Sequence, residues 1–241
     1  MCTVTFVPRQ QGYLLAMNRD EKRSRPTGLP PVKRTLNGQV VLAPSEPGGG
    51  TWISVNGSGV TFALINWYSI AAHIRVNLVS RGEVVRVASA LDTPDSIAAA
   101  LATLPLANLK PFRLIGVFPA TQQLMQWRWN LRKLASHRHP WRAQQWISSG
   151  FDEPKAQRIR GRSFREAREQ KSVGSPAWLR RLHSSHSPVK GPFSTCMHRS
   201  DAATVSFTEV AVSAKNTTMS HCSGAPCECA NQKVVQQLPA V

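Results

Sequence analysis

The chain has 241 residues, 41% of them hydrophobic, and its 30 Lys and Arg against 13 Asp and Glu give a formal net charge of +17. That length buries a full core, and with no linker in view we read one domain over residues 1–241. The longest apolar stretches, Gly59 to Asn66 and Arg113 to Phe118, fall well short of the roughly 18–20 residues a bilayer-spanning helix needs, so no transmembrane segment is expected.

The chain opens Met-Cys-Thr-Val-Thr-Phe. The small second side chain predicts removal of Met1, which leaves Cys2 with a thiol and a free α-amine on one carbon. These groups titrate near ~8.5 and ~7.7–8.0, so a nucleophile and its base share a residue. The other reading of Cys2 is a small hydrophobe packed in a first strand, the commoner fate of cysteine. Pro8, Arg9, Gln10 and Gln11 interrupt the apolar run of a would-be signal peptide, so no secretory leader and a cytoplasmic location are expected.

Val4 and Phe6, then Tyr13 to Ala16, flank the Arg9-Gln10-Gln11-Gly12 turn and predict a hairpin with Cys2 at a strand end. Arg25 to Pro31 reads as irregular, Val40 to Ala43 as a strand, and Gly48-Gly49-Gly50 as a tight turn or a place where backbone amides approach a ligand. Thr51 to Val55 and Val60 to Ile65 form a second hairpin about Asn56-Gly57. Thr93 caps a helix that starts on Pro94, carries Ile97, Leu101 and Leu104 on one face, and stops at Pro105.

Arg113 to Phe118 and Leu124 to Trp129 predict another hairpin, Pro154 to Lys171 a helix weakened by Gly161, and Ala202 to Phe207 with Glu209 to Val212 two half-buried strands. Two basic runs stand out. Trp127 to Arg142 interleaves tryptophan with arginine, the composition of a single-strand nucleic-acid surface or of arginine stems laid over an apolar face. The second, Arg158 to Arg181, contributes Arg160, Arg162, Arg165, Arg168, Lys171 and Arg180. Five cysteines, an odd number, argue against a disulfide framework. His221, Cys222, Cys227 and Cys229 raise a zinc site, but their spacing matches no standard knuckle, so no metal or other cofactor is expected and 220–241 reads as a polar, partly ordered tail.

Several segments in order carry a resemblance: Cys2, Ala16-Met17-Asn18-Arg19-Asp20-Glu21, Gly48-Gly49-Gly50-Thr51-Trp52-Ile53, Leu64-Ile65-Asn66, Ser148 to Ala156, and Gly191 to Val205. Together they resemble the NRDE family, named for the tetrapeptide Asn18 to Glu21, which includes the transport-and-Golgi-organisation type two proteins. That family is similar to the N-terminal-nucleophile hydrolases, in particular the cysteine branch of bile-salt hydrolases and penicillin V acylases. The resemblance implies an α+β fold, a four-layer αββα sandwich of antiparallel sheets with the mature N-terminus at the active site.

Carried over by residue, the resemblance makes Cys2 the nucleophile, Asp20 the partner that orients its amine, and Asn66 an oxyanion donor. Asn18 and Arg19 belong to the same motif. Where the acylase branch carries an arginine three positions before its aspartate this chain has Met17, so that role is vacant or moves to Arg19, while Arg199 stands for a late arginine. The expected function is an amidohydrolase or acyltransferase on a small, anionic, non-peptide amide or acyl substrate. Alternatives are a non-catalytic binding or trafficking protein holding an anionic lipid or cofactor, and a nucleic-acid binder through Trp127 to Arg142.

Overall fold

A computed structural model describes residues 1–71, 78–229 and 233–239. One antiparallel sheet has six strands, in the order β10 (Gln144–Ser148), β1 (Cys2–Pro8), β2 (Tyr13–Lys22), β11 (Ala202–Val212), β12 (Asn216–Cys222) and β13 (Lys233–Pro239). The other has seven, running in chain order through β3 (Leu29–Leu36), β4 (Gln39–Ser45), β5 (Ile53–Asn56), β6 (Thr61–Asn66), β7 (Phe112–Phe118), β8 (Gln123–Trp129) and β9 (Leu134–His139). Helices α1 (Gly82–Ala88), α2 (Pro94–Ala102), α3 (Glu153–Ala167) and α4 (Pro176–Ser184) complete the chain. No described helix is long and apolar enough to cross a membrane.

The period-two alternation of the strands sorts the core into three layers. Cys2, Val4 and Phe6 of β1 and Leu15 and Met17 of β2 meet Ile53, Val55 and Ile115 between the sheets. On the far side of the first sheet, Leu14 and Ala16 pack under Phe164 of α3 and Trp178 and Leu182 of α4. Outside the second sheet, Phe62 and Leu64 pack under Val84 and Val85 of α1 and Ile97 and Leu101 of α2. The expected αββα sandwich is therefore the fold. Tyr13 pins the sheets together, its buried hydroxyl lying 2.6 Å from the Gly59 carbonyl and 2.5 Å from Thr61 Oγ1.

Several expectations are corrected. Leu29 to Leu36, expected as irregular at its start, is an edge strand; Pro30 and Pro31 are tolerated because the register shifts between Leu29 and Val32 and no further described strand pairs outside. The second hairpin turns on Gly59, at φ +73°, while Asn56 stays in β5 and accepts from the Val60 amide. Ala202 to Val212 is one strand, and the second basic run divides into α3 and α4, each capped by an oxygen side chain, Asp152 and Ser175. The supposed tail supplies β12 and β13, and Cys222 is joined to Cys229 by a disulfide across a Cα–Cα distance of 6.2 Å, contrary to the expectation from cysteine number. Positions 230–232 and 240–241 of that tail lie outside the described residues.

Candidate active site

Cys2 starts β1 and pairs with Arg19 of β2 on one side and Ser148 of β10 on the other. A residue so placed is held by two ladders. The residue is 7% exposed and borders a cavity of about 390 Å³. Arg19, Asp20 and Asn66 line the same cavity. The fold thus brings together four of the residues singled out from sequence, drawn from β1, β2 and β6.

With Met1 in place, the terminal ammonium sits at this cavity. It donates to the main-chain carbonyl of Asp20 at 2.8 Å and lies 3.4 Å from the Tyr68 hydroxyl. Asn66 Nδ2 donates to the same hydroxyl at 2.6 Å. Amine, phenol and amide therefore form one chain of contacts beside Cys2. Burial raises the Cys2 thiol above its ordinary value, and the nearby ammonium and Arg19 only partly offset this. In the chain that carries Met1, the sulfur at neutral pH is a thiol.

The Asp20 carboxylate turns the other way. It accepts from Thr204 Oγ1 at 2.7 Å and from Arg160 Nη1 of α3 at 3.1 Å, with both members of the ion pair fully buried. Arg160 also donates to Thr3 at 2.7 Å. Asp20 thus anchors the start of β1 to the helix layer, and meets the Met1 amine through its main-chain carbonyl where the resemblance implied an orienting side chain. Arg19 points into the cavity, stacked 4.5 Å over Trp52 and paired with Glu46 at 2.5 Å. The Gly48-Gly49-Gly50 turn explains Glu46's position: the Glu46 amide bonds to the Gly50 carbonyl, Gly49 takes φ +82°, and Gly50 abuts Gly82, where a Cβ would meet Gly50 Cα at 2.7 Å.

Asn18 and Arg199 stand elsewhere. Asn18 faces α4, donating to the carbonyls of His183 and Thr195 and accepting from the His183 ring at 3.0 Å. Arg199 pairs with Asp201 at 2.9 Å and covers the Phe151 ring at 4.4 Å, and neither it nor Asn18 lines the cavity. Three contributors to the site escaped the sequence reading. Tyr68 and Glu46 lie in loops, although Tyr68 follows Asn66 by two positions. Arg81 precedes a seven-residue helix, and burial lowers the proton affinity of its guanidinium. Among the described residues it has no carboxylate partner; its one hydrogen bond there goes to the Pro111 carbonyl at 3.2 Å.

Comparison with known proteins bears on the family and the fold. A sequence model of the family described as Transport and Golgi organisation 2 matches residues 1–176. No curated protein matches the chain significantly by sequence. Among solved structures, a mutant of conjugated bile acid hydrolase from Clostridium perfringens superposes with a TM-score of 0.61 at 8% identity, covering 99% of this chain and 92% of that one. A second variant of the same hydrolase gives 0.60 at 8% identity over 100% and 97% of the two chains. Penicillin V acylase from Agrobacterium tumefaciens gives 0.55 at 12% identity, covering 99% and 86%. At such identities the likeness establishes the N-terminal-nucleophile hydrolase fold.

Proposed function

This chain belongs to the Transport and Golgi organisation 2 family, and from its site we propose an N-terminal-cysteine amidohydrolase or acyltransferase that takes a small, anionic, non-peptide amide or thioester. One observation carries the reading: Cys2 borders a cavity also lined by Met1 with the terminal amine, by Asn66 and by Arg81, whose guanidinium meets no carboxylate among the described residues. Removing Met1 moves the amine onto Cys2 and frees the space Met1 fills. The Cys2 sulfur then attacks the carbonyl carbon while its proton passes through the α-amine to the leaving nitrogen. A thioester to Cys2 forms and the amine leaves; water, or a second amine, attacks that thioester and restores the thiol.

Asn66 and Tyr68 supply donors for the oxyanion. Loss of one such donor costs on the order of 10²–10³ in rate in studied hydrolases. Arg81 and Lys110, beside the cavity, suit a substrate carboxylate, since Arg19 and Arg25 are already engaged by Glu21 and Glu46.

A second reading has its own support. The raised proton affinity of Cys2 in the Met1-bearing chain leaves a protonated sulfur beside an anion-sized pocket, which fits a binding protein of the same fold. Intact mass separates the two. The enzyme reading expects loss of Met1, faster labelling of Cys2 than of Cys196 by a thiol-reactive acyl probe, and hydrolysis of N-acyl amino acids that Cys2→Ala abolishes. Arg81→Ala is expected to raise KM by about tenfold or more with a smaller change in kcat, the worth of one charge-assisted hydrogen bond. Retained Met1 with equal labelling rates refutes the enzyme and leaves the binding protein.

A further inference from the structure

We propose that the chain holds a structural zinc ion on His186, Cys196, His198 and Cys227, a site separate from the Cys2 cavity and independent of the function proposed for it. The four ligand atoms lie within 4.8 Å of one another. Their spacings are those of a coordination shell: 3.2 Å between the two Nε2 atoms, 3.4 Å between the two sulfurs, and 3.5 Å from His198 Nε2 to each sulfur. With Zn–S near ~2.3 Å and Zn–N near ~2.0–2.1 Å, a tetrahedron has edges of about 3.8 Å (S···S), 3.4 Å (N···N) and 3.6 Å (S···N). These four of the six edges agree to within about 0.4 Å, and the two from His186 to the sulfurs fall within 4.8 Å, before any ion draws the ligands into place.

A Cys196–Cys227 disulfide accounts for two of the four groups and leaves the convergence of both imidazoles unexplained. Two thiolates and two neutral imidazoles form the donor set that selects zinc, and with four protein ligands no position is left for water or substrate. Binding displaces one proton from each thiol, so the two sulfur charges balance the dication. The spacing-based candidate of His221, Cys222, Cys227 and Cys229 was the wrong set, because Cys222 and Cys229 are spent on each other and His221 bonds to Thr208 in the sheet. Only Cys227 belongs to both.

The fold shows what such an ion does. No helix or strand occupies 185–201, between α4 and β11, and an irregular stretch of that length needs an anchor. His186, Cys196 and His198 come from it, and Cys227 from the turn between β12 and β13, so the ion ties both connections to one point. All four ligands lie outside residues 1–176, the part matched by the family. Met197, between two ligands, gives its amide to Thr204 Oγ1 at 2.8 Å, and Thr204 donates to Asp20, so the site also braces the anchor of β1.

Reduced full-length protein, reconstituted with zinc and washed with a weak chelator, is expected to keep about one zinc per chain. Cobalt in its place is expected to give the intense visible bands of a tetrahedral site together with thiolate charge-transfer absorption. Cys196→Ser with Cys227→Ser is expected to abolish both, and Cys222→Ser with Cys229→Ser to keep both. A reduced wild-type chain that takes up no zinc, an octahedral cobalt spectrum, or zinc retained by the Cys196/Cys227 variant overturns the proposal. The first two measurements need no variant to fold.

Discussion

At the scale of single residues, a buried histidine of α4 makes the molecule acid-sensitive. His183 is enclosed by Asn18 and Thr5, with Asn18 Oδ1 accepting from Nδ1 and the Thr5 hydroxyl donating to Nε2. That geometry fixes the neutral ring. Burial, helped by nearby Arg160, lowers the His183 proton affinity from 6.5 to about 3, and burial with Arg19 lowers His221 to about 4. Because the unfolded chain takes up these protons and the folded chain does not, stability falls as pH drops below about 6.5. The loss from His183 is complete only below about pH 3 and amounts to on the order of 5 kcal/mol. In urea titrations between about pH 6 and pH 4, His183→Asn is expected to flatten the dependence of unfolding free energy on pH by close to 1.4 kcal/mol per unit, one proton's worth. An unchanged slope contradicts the assignment, whatever the variant's stability at neutral pH.

At this same scale the sequence was a partial guide. That Cys2, Asp20 and Asn66 fall beside one cavity follows from the short motifs that carry the family resemblance, although the Asp20 carboxylate faces away from the amine it was expected to orient. The partner of Asp20 was not readable. Arg160 lies 140 positions away and looks, in sequence, like one of many arginines on a basic helix. Only the packing of α3 across β1 and β2 shows that this one is buried, and a buried pair of that kind is costly to break, at roughly 3–5 kcal/mol when one partner is removed. The zinc ligands failed for a related reason: spacing along the chain favours local sets, whereas the four residues here meet through two long connections.

At the scale of elements, local punctuation was legible and context was not. Thr93 caps α2 through the Ser96 amide at 3.2 Å, with Pro94 in its first turn, as the sequence indicates. The short α1 escaped because Arg81 at its cap position makes no capping hydrogen bond and seven residues hold too little periodicity. Gly161 weakened the expected helix, yet α3 runs through it. A Cβ there meets nothing nearer than Arg165 Nη1 at 3.7 Å, and its backbone is not left-handed. Gly161→Ala is therefore expected to stabilise the protein by about 0.5–1 kcal/mol, chiefly by restricting the unfolded chain. Thermal unfolding checks this, and a lowered Tm contradicts it.

At the scale of the whole molecule, the charge of +17 and the fold give different answers about polyanions. The run Trp127 to Arg142, suggestive of base stacking, folds as the hairpin of β8 and β9 and its connection to β10. Trp127 and Trp129 are 2% and 7% exposed: one packs edge-on against Phe118, and the other donates its indole N–H to the Leu109 carbonyl at 3.0 Å. Their faces serve the α1–α2 layer. What this run shows to solvent is chiefly Arg132, Lys133, His137, Arg138 and Arg142, which can pair with phosphate, while Trp141 is half-buried with its ring edge-on to Phe6 at 4.8 Å. Stacking is worth about 1–3 kcal/mol per base, so a true single-strand site favours single strands over other polyanions by well over tenfold. Charge alone gives no such preference. Binding of a fluorescent oligonucleotide is accordingly expected to weaken steeply from about 50 to 200 mM salt, and to be competed equally well by heparin of matched charge. A single-strand preference that survives the higher salt would mean that this surface reads bases, and would move the function of the molecule away from the Cys2 cavity.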